Sequence, residues 1–80
     1  MTARVFVTLK KAVLDPQGKA VQRSLSRLGF PEARDVRVGR FIEIALEAGS
    51  RDEAQKRVDA MCKKLLANTV IEEYRFEIAE

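Results

Sequence analysis

The chain has 80 residues, a formal net charge of +3, one cysteine and no histidine. A chain this short forms a single domain, 1–80, and buries only about 60% of the surface that its unfolded form exposes. One cysteine excludes an intrachain disulfide, and the lack of histidine argues against a structural zinc site. Association with a second copy is the remaining way to stabilise so small a core, and we therefore expect a homo-oligomer.

The first two elements along the chain are predicted to be a strand and a helix. Residues 3–9 alternate in the way that is typical of a strand. Asp15 then suits the N-cap of a helix, Pro16 its first position, and Gly29 the position after its last turn. We expect this helix from about Pro16 to Leu28. Its apolar stripe, expected to be buried, consists of Val21, Leu25 and Leu28.

Gly18 stands in the first turn of this helix, where glycine weakens a helix by about 1 kcal/mol relative to alanine. A close approach by another part of the backbone would explain a glycine there. The stretch Asp15-Pro16-Gln17-Gly18 lacks the glycine spacing of a phosphate-binding loop, and the Asp15 carboxylate would repel an anion. It therefore indicates a helix start first.

The middle of the chain is predicted to be strand again. Its apolar residues share one parity that is broken at Arg40, so Gly39-Arg40 is predicted to be either a hairpin between two strands or a bend in one strand. Those apolar residues are Val36, Val38, Ile42, Ile44 and Leu46.

A second helix and a last strand complete the pattern. Ser50 and Glu53 have the spacing of a capping box. The stripe of the second helix is expected to consist of Ala54, Val58, Met61 and Leu65. Tyr74, Phe76 and Ile78 alternate with charged residues in the strand. The order β-α-β(β)-α-β predicts a small ferredoxin-like α+β sandwich, whose open sheet dimerisation would complete.

The residues supply no recognisable catalytic set. General acid–base work most often uses histidine, which is absent, and Cys62 lies beside an apolar stripe, where we expect a buried thiol. The interspersed charges favour a solvated surface over a nucleic-acid footprint. The stretch RVGRFIEIAL does not match the aromatic motif of RNA-reading sheets. We expect no metal and no cofactor on this chain.

No stretch has the pattern of a signal peptide or the length of a membrane span, and a lone cysteine suits a reducing compartment. We therefore expect a cytoplasmic protein that has no contact with a membrane.

Three separated stretches resemble the PurS family, the small subunits of phosphoribosylformylglycinamidine synthase in de novo purine biosynthesis. They are FVTLKKAVLDPQGKAVQRSL, DVRVGRFIEI and MCKKLLANTVIEEYRFE. The resemblance implies a small α+β unit of ferredoxin-like character that is completed by dimerisation. It also implies an accessory role, in which the dimer joins a glutaminase subunit to a large synthetase subunit and helps ammonia pass between them. ATP and Mg are implied for the complex and not for this chain.

Two stretches are the expected contacts with these partners. One is Asp15, Pro16, Gln17 and Gly18, and the other is the basic bend formed by Arg37, Gly39 and Arg40. With Arg34, the two arginines form a local basic run that suits an anionic partner surface. A helix cap and a strand bend are the competing structural interpretations. The alternative function is a nucleic-acid or small-ligand binding module, which salt-sensitive RNA binding by the isolated chain would reveal.

Overall fold

The computed structural model describes all 80 residues and contains three strands and two helices in alternation. They are β1 (Thr2–Leu9), α1 (Pro16–Arg27), β2 (Gly39–Ala45), α2 (Arg51–Met61) and β3 (Glu72–Ala79), and a π-helical turn (Cys62–Leu66) continues α2. This confirms the predicted α+β class, with one strand between the two helices, and is consistent with a ferredoxin-like unit. Neither helix is long and apolar enough to cross a bilayer.

The three strands form one antiparallel sheet in the order β2-β1-β3. In the centre of the sheet, Val5 pairs with Ile42 on one side and with Phe76 on the other. Because side chains alternate between the faces of a strand, most of the apolar residues of the three strands share one face. α2 packs on that face, and both β2 and β3 are edge strands.

The buried core is small. It consists of Ala3, Val5, Val7, Ala54, Val58, Cys62, Ala67 and Ile78. Its largest fully buried side chains are three valines and Cys62, and no charged or polar residue is buried. A core of this size leaves little stability after the conformational entropy of the chain is offset.

The ends of α1 are those that the sequence predicts. Asp15 is its N-cap and Pro16 its first residue, while Gly29 follows the helix with φ = 98°, in the left-handed region. The N–H of Phe30 donates to the carbonyl oxygen of Leu25 at 2.9 Å. This bond, together with the one from Gly29 to Ser26 at 3.2 Å, closes the helix as a Schellman motif.

The apolar stripe of α1 is not covered by the chain itself. Val21 is 41% exposed and Leu28 72% exposed, and Gly18 is the only buried residue of the helix. The radius of gyration is 15.8 Å, whereas a compact domain of this length has about 12 Å. The predicted burial of the stripe is therefore wrong for the single chain. A sequence pattern identifies an apolar face of a helix, but it does not show which other part of the protein packs against that face.

The alternatives predicted for Gly39-Arg40 are also wrong, because these residues begin β2 and form neither a hairpin nor a bend within a strand. The Val38 N–H donates to the Asp15 carboxylate and not to a neighbouring strand. Residues 33–38 consequently run without regular structure along the base of α1.

α2 begins as predicted and ends differently. Ser50 Oγ accepts from the Glu53 N–H at 3.1 Å, which confirms the cap. Leu65, however, is 83% exposed, because the π-helical turn adds a residue to the repeat and turns Leu65 off the stripe. Cys62, buried as predicted, and Ala67 take the core positions instead.

Candidate partner-contact site

The two stretches predicted to contact partners meet at the base of α1. Oδ1 of Asp15 accepts from the Gly18 N–H at 2.9 Å, and Oδ2 accepts from the Val38 N–H at 2.8 Å. These two N–H groups, that of Gly18 first, lower the pKa of the Asp15 carboxyl. One carboxylate therefore ties the helix start to the segment that leads into β2.

Gly18 is required by this junction. A Cβ atom added at Gly18 would lie 2.1 Å from the carbonyl oxygen of Val36. The close backbone approach that the sequence suggested for this glycine is thus supplied by the segment before β2.

A surface cleft of about 340 Å³ runs along the junction. Five of the seven predicted residues line it, namely Asp15, Pro16, Gln17, Gly39 and Arg40. Gly18 is buried beneath this region, and Arg37 lines a neighbouring cleft of about 400 Å³ that also includes Lys11 and Lys19. Asp15 lines both clefts, so six of the seven predicted residues lie on one surface with Gly18 beneath it. We call it the α1-base surface.

Arg40, which lies on this surface, connects β2 to the start of β3. Its Nη1 and Nη2 donate to the two carboxylate oxygens of Glu72 at 2.9 and 3.0 Å, and Nη2 also donates to the Leu66 carbonyl oxygen at 2.7 Å. The hydrogen bonds to Glu72 raise the pKa of Arg40. An Arg40→Glu substitution would place two carboxylates together, so it would disturb the fold as well as any contact with a partner.

Glu72 is a site residue that the sequence reasoning missed. Besides holding Arg40, its Oε1 accepts from the Asn68 N–H at 2.7 Å. The side chain of Asn68 accepts in turn from the Val70 N–H at 3.1 Å. Position 72 lies far from position 40 in sequence, and only the register of both edge strands against β1 brings the two together.

The basic run around the bend is largely neutralised inside the chain. Arg37 Nη1 lies 3.3 Å from Glu73 Oε1, and Arg40 is held by Glu72. The second terminal nitrogen of Arg37 is buried without a hydrogen-bond partner. Arg34 alone of the three arginines forms no ion pair, so the run does not present three free cations.

The face of the sheet opposite α2 is partly aromatic. The rings of Phe6 and Phe41 lie 5.1 Å apart, and the Arg75 guanidinium stacks 4.0 Å from the Phe6 ring centroid. Arg4 and Glu43 face each other at 4.0 Å beside them. Phe6 therefore lies on the open face, as the alternation of β1 predicts.

A polar cluster lies where α2 meets β3. The Tyr74 hydroxyl donates to Asp59, whose carboxylate also contacts Lys63 Nζ at 2.8 Å. The hydrogen bond to Asp59 raises the pKa of Tyr74 to about 12, while burial raises the pKa of the Cys62 thiol. Both shifts favour the neutral forms, so these groups are not activated as nucleophiles. The structure also brings together no group of three His, Cys, Asp or Glu side chains that could hold a metal ion.

Two free sheet edges, an uncovered helix and surface clefts place the chain among small α+β subunits. The model of the PurS family, described as phosphoribosylformylglycinamidine (FGAM) synthase, matches residues 2–80. The chain belongs to this family. The FGAM synthase subunit PurS of Bacillus subtilis is 51% identical over 77 residues, which are 96% of this chain and 90% of that protein. Its counterpart from Synechocystis is 52% identical over 75 residues, 94% and 75% of the two chains.

Solved structures show the same relation. A crystal structure of Bacillus subtilis PurS superposes with a TM-score of 0.85 at 49% identity and covers 99% of this chain and 98% of that one. A chain of the PurLQS structure from Thermotoga maritima has a TM-score of 0.88 at 29% identity, with 95% and 93% covered. The resemblance seen in the sequence is therefore confirmed, and the alternative of a nucleic-acid or small-ligand module is not favoured.

Proposed function

We propose that this chain is a non-catalytic accessory subunit of FGAM synthase in de novo purine biosynthesis and that it works in the cytoplasm. It joins the glutaminase subunit to the large ATP-dependent synthetase subunit and assists the transfer of ammonia between them. The likeness of nearly the whole chain to a chain of the Thermotoga maritima PurLQS structure carries this proposal. In this proposal the complex uses ATP and Mg, and this chain binds neither.

The working form in this proposal is a homodimer or a higher homo-oligomer. The core is small, the stripe of α1 is exposed, and two strand edges are unpaired. A second copy of the chain is the partner most readily available to bury this apolar surface, because it is present wherever the chain is made. Burying that surface would stabilise the folded subunit.

The α1-base surface is proposed to contact a partner subunit. Pro16 and Gln17 are exposed there, so they can reach another protein. Asp15, Gly18 and Arg40 make the contacts that hold the surrounding backbone in place. Pro16 and Gln17 would thus touch the partner. Asp15, Gly18 and Arg40 would keep the surface in shape.

Reconstitution tests the proposed function. The glutaminase and large synthetase subunits of the same organism are mixed with and without this chain, and FGAM formation is measured with glutamine or with an ammonium salt. We expect glutamine-dependent synthesis to require the chain and ammonium-dependent synthesis to persist without it. Equal glutamine-dependent rates in both mixtures, or turnover of glutamine or ATP by the isolated chain, would contradict the proposal.

A further inference from the structure

The positive charge of the chain is concentrated in α1 and its flanking segments. Residues 10–38 hold seven Lys and Arg and three Asp and Glu, a net charge of +4. The other residues hold eight and nine, a net charge of −1. The modest total of +3 therefore conceals a polarised molecule whose projecting helix is positive.

Within α1 the cations form one line. Lys19, Arg23 and Arg27 are spaced by four residues, which places them on one face over a length of about 12 Å. All three are exposed, and the helix Pro16–Arg27 contains no Asp or Glu. We call this line the basic ridge.

The ridge has no anionic partner inside the chain. Six cations elsewhere form ion pairs within 4.0 Å of a carboxylate: Arg4, Arg37, Arg40, Arg51, Lys56 and Lys63. No residue of the ridge is among them. Gln22 and Ser26 flank it and line, with Arg23 and Arg27, a surface cleft of about 380 Å³. Hydrogen-bonding groups thus stand next to unpaired guanidinium groups.

The ridge and the apolar stripe lie on nearly opposite faces of α1. At 100° per residue, the centre of the ridge lies about 150° around the helix from the midpoint between Val21 and Leu28. If a second copy covers the stripe, the ridge still faces outward. The two faces of α1 can therefore serve two different partners.

We propose that the basic ridge docks on a carboxylate-lined surface of another subunit of the synthase. This inference rests on the proposed function and assigns a surface to one of its contacts. Arginine pairs with carboxylates through two parallel hydrogen bonds, which gives such a contact direction as well as charge. A nucleic-acid strand is disfavoured as the occupant, since no aromatic side chain lies on α1 for a base to stack upon.

A double charge reversal tests the ridge. Arg23→Glu with Arg27→Glu is compared with Arg57→Glu with Lys64→Glu, which changes two exposed, unpaired cations of the α2 region by the same net charge. Assembly with the glutaminase and synthetase subunits is followed by sedimentation velocity at low and high salt. At low salt we expect the ridge variant to assemble about tenfold more weakly than the unaltered chain, and the control variant to assemble normally. High salt should narrow the difference.

Further controls separate the possible outcomes. Circular dichroism checks that the helix survives, and Arg23→Gln with Arg27→Gln, which adds no negative charge at the helix end, should give an intermediate effect. Unaltered assembly of the ridge variant would overturn the docking assignment alone. If the unaltered chain fails to assemble, the proposed function fails as well. Loss of binding to a single-stranded RNA probe with assembly intact would make the ridge a nucleic-acid surface and overturn the assignment.

Discussion

Gly18 shows how a residue that weakens a helix locally can be required by the tertiary structure. Its position in the first turn of α1 is unfavourable for the isolated helix, yet the carbonyl oxygen of Val36 occupies the space of a side chain. The same segment places the Val38 N–H on Asp15. The glycine and the carboxylate therefore act together to anchor α1.

Gly18→Ala should lower the free energy of unfolding by about 2 kcal/mol, because the new methyl group overlaps a backbone atom that must move. The melting temperature would fall by roughly 10 °C, which thermal denaturation measures. Gly49→Ala is the matched control, since its Cβ would meet only the movable end of Glu53, at 3.1 Å. Equal melting temperatures for the two variants would mean that the backbone at Val36 can move away from position 18 at little cost in free energy.

Glu72 makes the free energy of unfolding depend on pH in the acidic range. Arg40 first, and then the Asn68 N–H, lower the pKa of its carboxyl below the ordinary value of 4.5. The unfolded chain then binds more protons than the folded chain below about pH 4.5, so the free energy of unfolding should decrease there as pH falls. Glu72→Gln should be less stable than the unaltered chain at neutral pH and should lose less on acidification. Urea titrations between about pH 7 and pH 3 measure both effects, and parallel curves would exclude Glu72 as a source of the acid sensitivity.

The elements divide into those that local signals define and those that they do not. Asp15, Gly29 and Ser50 mark helix ends through bonds that span only a few residues, so the sequence predicts them. The start of β2 depends on which group accepts a hydrogen bond from the Val38 N–H, and the end of α2 depends on a π-helical turn. No local sequence pattern marks either of these two boundaries.

Predictability of the site follows the same division. The α1-base residues could be chosen from the sequence as two separate stretches. Their convergence could not, because it is made by Asp15 reaching Val38. The partner of Arg40 was missed for a similar reason, since Glu72 lies on the other edge strand, across the end of β1.

Two substitutions on the same helical segment test where α2 changes its repeat. Val58→Asp should unfold the chain, because Val58 is fully buried and an unpaired carboxylate would lie in the core. Leu65→Asp introduces the same side chain seven residues further along the predicted stripe, but at an exposed position, and it should leave the chain folded. Circular dichroism and thermal melting measure both variants. If Leu65→Asp also unfolds the protein, the helix continues without a π-helical turn.

The whole molecule is elongated, with extents of 50 × 26 × 14 Å, because α1 projects from the sheet. An elongated chain of this length exposes apolar surface that a compact domain would bury. The homo-oligomer that we propose would bury that surface at the interface between its subunits.

Val21→Ser with Leu28→Ser should therefore shift the chain toward monomer, because both side chains lie on the exposed stripe. Sedimentation equilibrium measures the association constant. Leu65→Ser with Val70→Ser, which changes two exposed apolar residues outside α1, between α2 and β3, should leave association unchanged. A weaker association of the second variant only would place the interface at the α2–β3 connection.

The register of the sheet also governs when the protein is able to fold. Thr2 pairs with Ala79, so one side of the central strand stays unpaired until β3 has been synthesised. Contacts between such distant parts of a chain form slowly. We therefore expect the sheet to form only after β3 has left the ribosome, with β1 available to chaperones until then.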